Sequence, residues 1–252
     1  MIELRNVTMS YHGQKVIEDL NLTFPDTGIT SLIGSNGAGK STLLCGIGRI
    51  QEIETGQIIV DGQAINKWRQ NELAKVLAIL KQEQKLTMRL KVFELLLLGR
   101  YPYSHGRYND DDYRAVAKVL EHLDLARFAD EYLDELSGGQ RQRAFIGMVL
   151  VQETKYILLD EPIASLDMRY SRDMMRYLRR LAHKENKSII IVIHDINLAL
   201  GYSDRIVGMQ DGKVMFEGAV DAVATDENLS RLYHCEVSVS EINGRKIVFP
   251  SL

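Results

Sequence analysis

Gly34-Ser35-Asn36-Gly37-Ala38-Gly39-Lys40-Ser41, with Thr42 after it, is the stretch on which the fold turns. It satisfies the spacing G-x-x-x-x-G-K-[S/T], and its flanks are the ones that spacing needs. Residues 29–33 (Ile-Thr-Ser-Leu-Ile) predict a short buried strand, and helical spacing runs from 41 to about 51. A glycine-rich loop opening a helix gathers backbone N–H groups and the positive helix end on one point. Glycine lets the main chain approach an anion with no Cβ in the way. Lys40 then supplies a point charge to β and γ phosphates, and the Ser41 hydroxyl a ligand for Mg2+. Gly46 and Gly48 each weaken a helix by about 1 kcal/mol relative to Ala, so they are predicted where the helix packs closely on something.

Outward from the loop, residues 2–11 and 16–24 alternate and carry β-branched side chains, and Pro25-Asp26-Thr27-Gly28 supplies turn chemistry. That predicts an antiparallel start. Residues 58–60 with Asp61-Gly62 read as strand and turn, and 73–80 as a further apolar segment. From 92 to about 134 helical spacing dominates, as in Ala115, Val116, Val119, Leu120, Leu123 and Leu125. Beyond it, continuous apolar runs at 156–159 and 189–193 flank a helical stretch at 169–184. Strand, helix, strand with unbroken apolar strands predicts a parallel sheet covered on both faces. Residues 236–242, Asn243-Gly244 and 245–249 read as a hairpin, expected to cap a sheet edge. The fold class is α/β: a mainly parallel core sheet, an N-terminal antiparallel β subdomain and a helical subdomain. One domain spans 1–252, with core about 1–85 and 155–230, helical subdomain about 86–154 and hairpin tail about 231–252.

Composition narrows the function. The 252 residues are 45% hydrophobic and 26% charged, which excludes a disordered chain. A formal charge of −3 gives no global basic excess for nucleic acid. No apolar run approaches the ~20 residues of a membrane span. Two cysteines, Cys45 and Cys235, suit a reducing compartment, and the N-terminus does not read as a signal peptide.

Tyr156-Ile157-Leu158-Leu159-Asp160-Glu161 is an apolar strand ending in two acids, and carboxyl ends of such strands are where wound sheets bind ligands. Asp160 is placed to reach Mg2+. Glu161 points to a water in line with the γ-phosphate, as general base or water positioner. Acids at a strand end are also ordinary loop composition; the phosphate loop is what favours the catalytic reading.

Leu136-Ser137-Gly138-Gly139-Gln140, ahead of a helical run through Val151, resembles the signature of ABC transporter ATPase subunits. The resemblance implies a P-loop NTPase of the ABC ATPase fold that binds ATP and Mg2+ and hydrolyses ATP. It implies that Ser137, Gly138, Gly139 and Gln140 contact the γ-phosphate of ATP held by the other subunit, and therefore a homodimer in the ATP state. Tyr11 resembles the aromatic that stacks on adenine, although an aromatic ending a strand is ordinarily packing. Gln82 resembles the glutamine that touches Mg2+ and senses the transport partner; Lys81 stands where proline is frequent, and Gln84 is the neighbouring alternative. Asp167, in Ser165-Leu166-Asp167, corresponds to a loop contact across the dimer, and Ile163 stands where threonine is common. His194 resembles the switch histidine that bonds the γ-phosphate; His12, His105, His122, His183 and His234 match no family position.

With no membrane span, transport implies a separate permease. The stretch Gly99-Arg-Tyr-Pro-Tyr-Ser-His-Gly-Arg-Tyr108, the short helical insertion, Ile193-His-Asp-Ile-Asn197 and Tyr202-Ser-Asp-Arg205 resemble importers of iron-siderophore, haem and cobalamin type, iron-siderophore first. The implied protein is a peripheral subunit on the cytoplasmic face, engaged with transmembrane permease subunits and, through them, an extracytoplasmic binding protein. The alternatives are a haem or cobalamin importer, or a soluble ABC ATPase of DNA repair or translation. The latter would carry coiled-coil insertions, a second cassette or basic arms, which this sequence lacks.

Overall fold

Ile189, Ile190, Ile191 and Val192 are all fully buried, which a strand achieves only when both its faces are covered. A computed structural model describes residues 1–11, 13–82 and 88–250. The chain runs β1 (Ile2–Tyr11), β2 (Gln14–Phe24), β3 (Gly28–Ile33), α1 (Lys40–Ile47), β4 (Thr55–Val60), β5 (Gln63–Ala64), α2 (Gln70–Val76), β6 (Leu77–Leu80). The helical stretch follows: α3 (Val92–Gly99), α4 (Tyr101–Ser104), α5 (Asp110–His122) and α6 (Gly138–Leu150). Then come β7 (Tyr156–Asp160), α7 (Met168–Lys184), β8 (Ser188–Val192), α8 (Ile196–Tyr202), β9 (Arg205–Gln210) and β10 (Lys213–Ala219). The chain closes with α9 (Val220–Val223), α10 (Asp226–Tyr233), β11 (Val237–Ile242) and β12 (Arg245–Pro250).

The central sheet has the order β10-β9-β3-β8-β7-β6. All its pairings are parallel except β9 with β10. Alternate residues of each strand enter different cores. Ile157, Leu159, Ile189, Ile191 and Ile193 pack with the apolar faces of α3, α5, α6, α7 and α8. Tyr156, Leu158, Ile190 and Val192 pack with Leu43, Leu44 and Ile47 of α1 and with the antiparallel sheet β2-β1-β4-β5. Helix α1 is therefore sandwiched between two sheets.

That position explains its glycines. A Cβ on Gly46 would lie 2.6 Å from the Met9 sulfur, and one on Gly48 2.7 Å from Ile79 Cδ1. The helix stops at Ile47 rather than near residue 51, because Gly48 caps it and Arg49 turns left-handed at φ 54°. The apolar segment 73–80 divides into the end of α2 and all of β6. Val116, Val119, Leu120, Leu123 and Leu125 are buried as their spacing requires, with Ala115 half-buried. The antiparallel pair β9 and β10, turning at Asp211-Gly212, has no counterpart in the sequence reading.

The terminal hairpin forms, with Ile242 opposite Arg245, but among the described residues it pairs with neither edge strand of the central sheet. It is a separate two-stranded sheet, while the edges of the central sheet are β10 and β6. The reason is chemical: side chains and loop carbonyls, rather than an edge strand, satisfy it. Lys246 donates to the carbonyls of Asp221 and Ala224, and Asn197 of α8 bonds the Val248 backbone. No helix among the described residues is long and apolar enough to cross a membrane.

Candidate functional site

The loop between β3 and α1 lies against the β9 end of the sheet. Gly34 has φ 142°, and a Cβ there would sit 2.0 Å from the Met209 carbonyl oxygen, so only glycine fits. Gly39, at φ 95°, is the N-cap of α1 and has no side chain to satisfy the helix's first N–H groups. Those donors are left for an external acceptor, the arrangement that binds anions. The loop is closed from outside by the β9–β10 turn, where the Gly212 N–H donates to the Ala38 carbonyl at 3.1 Å.

Lys40, only 5% exposed, donates to the carbonyl oxygens of Gly34 and Ser35, each at 2.8 Å. Burial lowers its pKa, and the carboxylates of Glu161 and Asp160 oppose that shift. Asp160, at the end of β7, is 3% exposed and accepts the Ser41 hydroxyl at 3.0 Å. Burial is the main cause raising its pKa, assisted by the Glu161 charge; the Ser41 hydrogen bond, the Gln82 backbone N–H and Lys40 pull it back. The buried carboxylate thus lacks a full countercharge. The Ser41 hydroxyl meets the Asp160 carboxylate, and Gln82, whose backbone N–H faces Asp160, carries an amide oxygen; hydroxyl, carboxylate and amide are the hard-oxygen donors Mg2+ selects, so these residues fit that ion.

Glu161 follows at φ 49°, a left-handed backbone that costs a non-glycine residue roughly 1–2 kcal/mol. Its Oε1 lies 2.6 Å from His194 Nε2, in the loop between β8 and α8. A cavity of about 450 Å³ is lined by Val16, residues 36–42, Gln82, Glu161 and His194. The loop, the second acid, the glutamine and the histidine predicted from sequence therefore meet around one space. Tyr11 ends β1 opposite Gln14, is 60% exposed and does not line that cavity. Gln84 lies outside the described residues.

Ser137 caps α6: its Oγ accepts the Gln140 N–H at 3.4 Å, and Gln140 Oε1 accepts the Ser137 N–H at 2.7 Å. None of residues 137–140 lines the cavity. Asp167 caps α7 through the Tyr170 N–H at 3.0 Å, and Ile163 is buried. Two residues near the site carry no motif signal. Val16 is an ordinary strand residue in the sequence, and Gln142 follows the signature by two positions. Gln142 Nε2 donates to the Pro162 carbonyl at 3.1 Å, joining the start of α6 to the loop behind Glu161.

A family profile described as ABC transporter matches residues 17–164. The chain is 43% identical to the petrobactin import ATP-binding protein YclP of Bacillus subtilis (strain 168) over 247 residues, 98% of each protein. It is 38% identical to the probable siderophore transport system ATP-binding protein YusV of the same organism, over 99% of this chain and 92% of that one. Its fold superposes with a TM-score of 0.79 on the dimeric post-hydrolysis state of the ATP-binding cassette MJ0796 bound to ADP and Pi. That similarity is at 30% identity and covers 87% of this chain and 99% of the other.

Proposed function

The chain belongs to the ABC transporter family and is an ATPase of its importer branch, and from that premise we propose that it powers uptake of iron-siderophore complexes through a separate permease. The observation that carries the catalytic part is the Glu161–His194 pair lining the same cavity as Lys40, Ser41 and the uncapped start of α1. The cargo reading is supported by relatives named for petrobactin import and siderophore transport.

ATP enters with its phosphates at the N–H groups of residues 34–42, and Tyr11 stacks on the adenine. Lys40 exchanges the Gly34 and Ser35 carbonyls for phosphate oxygens. Ser41, Gln82 and Asp160 would hold Mg2+, which when bound neutralises charge on the β and γ phosphates. Ser137, Gly138, Gly139 and Gln140 of the partner subunit close over the γ-phosphate with the N-terminus of α6, and Asp167 contacts the partner. His194 leaves Glu161 for the γ-phosphate. Glu161, freed of that hydrogen bond, accepts a proton from water held in line with the phosphorus. Loss of the γ-phosphate removes the link between subunits, and the pair reopens.

Gln82 lies two residues beyond β6, and β6 leads into a groove of about 420 Å³ between α1, α2, α3 and α6. Ile50 and Leu98 are exposed at this groove. This groove is the surface we propose for the permease, and a peripheral position on the cytoplasmic face is part of that proposal. An extracytoplasmic binding protein delivers cargo on the opposite side.

Replacing Glu161 by Gln should slow steady-state hydrolysis by about 100-fold or more and leave ATP binding intact. Mg-ATP should then hold the variant as a dimer in size-exclusion chromatography with light scattering; ordinary turnover would overturn the assignment. For cargo, ATPase activity of the permease complex in vesicles should rise with a binding protein loaded with ferric siderophore. A rise with haem or cobalamin alone would redirect the reading.

A further inference from the structure

Asn197 is the second residue of α8, three positions past His194. Its amide makes two hydrogen bonds to one residue of the terminal hairpin: Val248 N–H donates to Oδ1 at 2.8 Å, and Nδ2 donates to the Val248 carbonyl at 3.2 Å. The side chain thereby does for the free side of β12 what another strand would do. Helix α8 has only seven residues, too few for stability on its own, and of these only Ala199 and Leu200 are buried. Its N-cap, Asp195, is the residue next to His194 and accepts the Leu198 N–H at 3.0 Å. The hairpin is itself anchored elsewhere, by Lys246 on the Asp221 and Ala224 carbonyls and by Ser230 on the Val237 backbone. A second cavity, about 790 Å³, also touches Glu161 and His194, and its wall includes Asn197 with Arg245 and Ile247 of β12. Across that space the Asn197 amide is a direct link between the helix that follows the histidine loop and the hairpin.

We propose that Asn197, by its two-point hold on Val248, is a positioning residue that keeps His194 within reach of Glu161 and the γ-phosphate. This rests on the role given to His194. The hairpin is then a strap behind the catalytic histidine, and the link runs Val248, Asn197, Asp195, His194. Because Asn197 does not line the phosphate cavity, losing it leaves nucleotide binding alone and misplaces only the histidine.

The test is steady-state ATP hydrolysis by the full chain. Asn197→Ala should lower kcat by about tenfold, as displaced catalytic groups do, with KM for ATP unchanged and cooperative thermal unfolding retained. Asn197→Asp, which keeps the acceptor for the Val248 N–H, should lie between wild type and Asn197→Ala, and carries the same readout if the alanine variant fails to fold. In a His194→Ala background, single-turnover hydrolysis should be no slower with Asn197→Ala added than without it. A wild-type kcat in both Asn197 variants, or an equal loss with and without His194, would overturn the positioning role. If His194→Ala itself turns over normally, the role of His194 falls, which is a different result from an inactive His194→Ala beside a fully active Asn197→Ala.

Discussion

A carboxylate at the buried end of β7 is costly to a protein without bound nucleotide. Burial raises the folded pKa of Asp160 above the ordinary 3.8. Its protonated form therefore favours the fold, and that contribution is lost as pH rises from 3.8 through the raised value. Above that value the ionised group is a cost to the fold. Asp160→Asn preserves an acceptor for Ser41 and removes the charge. It should raise the apo unfolding midpoint, on the order of 2–4 °C for each kcal/mol recovered, and flatten the midpoint's decline as pH rises above 3.8. ATP hydrolysis should fall sharply in the same variant. Gly34 shows the reverse dependence: Gly34→Ala would drive a methyl into the Met209 carbonyl. It should cost about 1–3 kcal/mol by overpacking, read by urea denaturation, together with weaker ATP binding.

Among the elements, the junction of α3, α4 and α5 shows what the tyrosine-rich stretch 99–108 builds. Arg100, buried at the end of α3, donates to Asp112 of α5 at 2.8 Å, to the Val151 carbonyl at 2.9 Å and to Glu153 at 2.9 Å. Tyr103 lies against the guanidinium and donates to the Gln152 carbonyl at 2.9 Å. The folded chain buries Arg100 of this stretch in a charged corner and leaves Tyr101 and Tyr103 exposed. Asp112→Ala takes away the buried partner of Arg100 and leaves it Glu153 and the Val151 carbonyl, so it should cost about 1–3 kcal/mol in thermal or urea unfolding. Burial works against the Asp112 carboxylate, but the Arg100 and Asn109 hydrogen bonds hold its pKa below 3.8. Its stabilisation is complete above 3.8 and is lost as pH falls through the lower folded value. Wild type and Asp112→Asn should therefore converge in stability in strong acid.

For the molecule as a whole, the separation of residues 137–140 from the phosphate cavity has a measurable consequence. If each site takes its loop from one copy and its signature from the other, Lys40→Ala and Gly138→Asp should each abolish hydrolysis as pure preparations. Mixed, they form heterodimers in which one composite site is wholly intact. Activity should recover to about a quarter of wild type at equal amounts, as random pairing of independent sites requires. No recovery in a mixture shown to exchange subunits would exclude a shared site. The same scale explains why the hairpin's destination escaped sequence reading. Asn243-Gly244 specifies a turn through local backbone preference, but an Asn197 amide meeting Val248 across the tail is a contact between distant residues with no pattern of its own.

The phosphate loop was legible because its chemistry is local: backbone N–H groups, a lysine and a hydroxyl within eight residues, flanked by a strand and a helix whose periods differ. The unbroken apolar runs at 156–159 and 189–193 likewise announced strands buried on both faces, since a half-exposed strand must alternate. Tertiary structure alone decided that β8 lies beside β7, which brings His194 to Glu161. It also decided that Val16 and the Gly212 turn enclose the loop and that Gln142 ties the signature helix to Pro162. Those meetings depend on strand order and packing, and burial free energy rewards contact regardless of where in the chain the contacting residues stand.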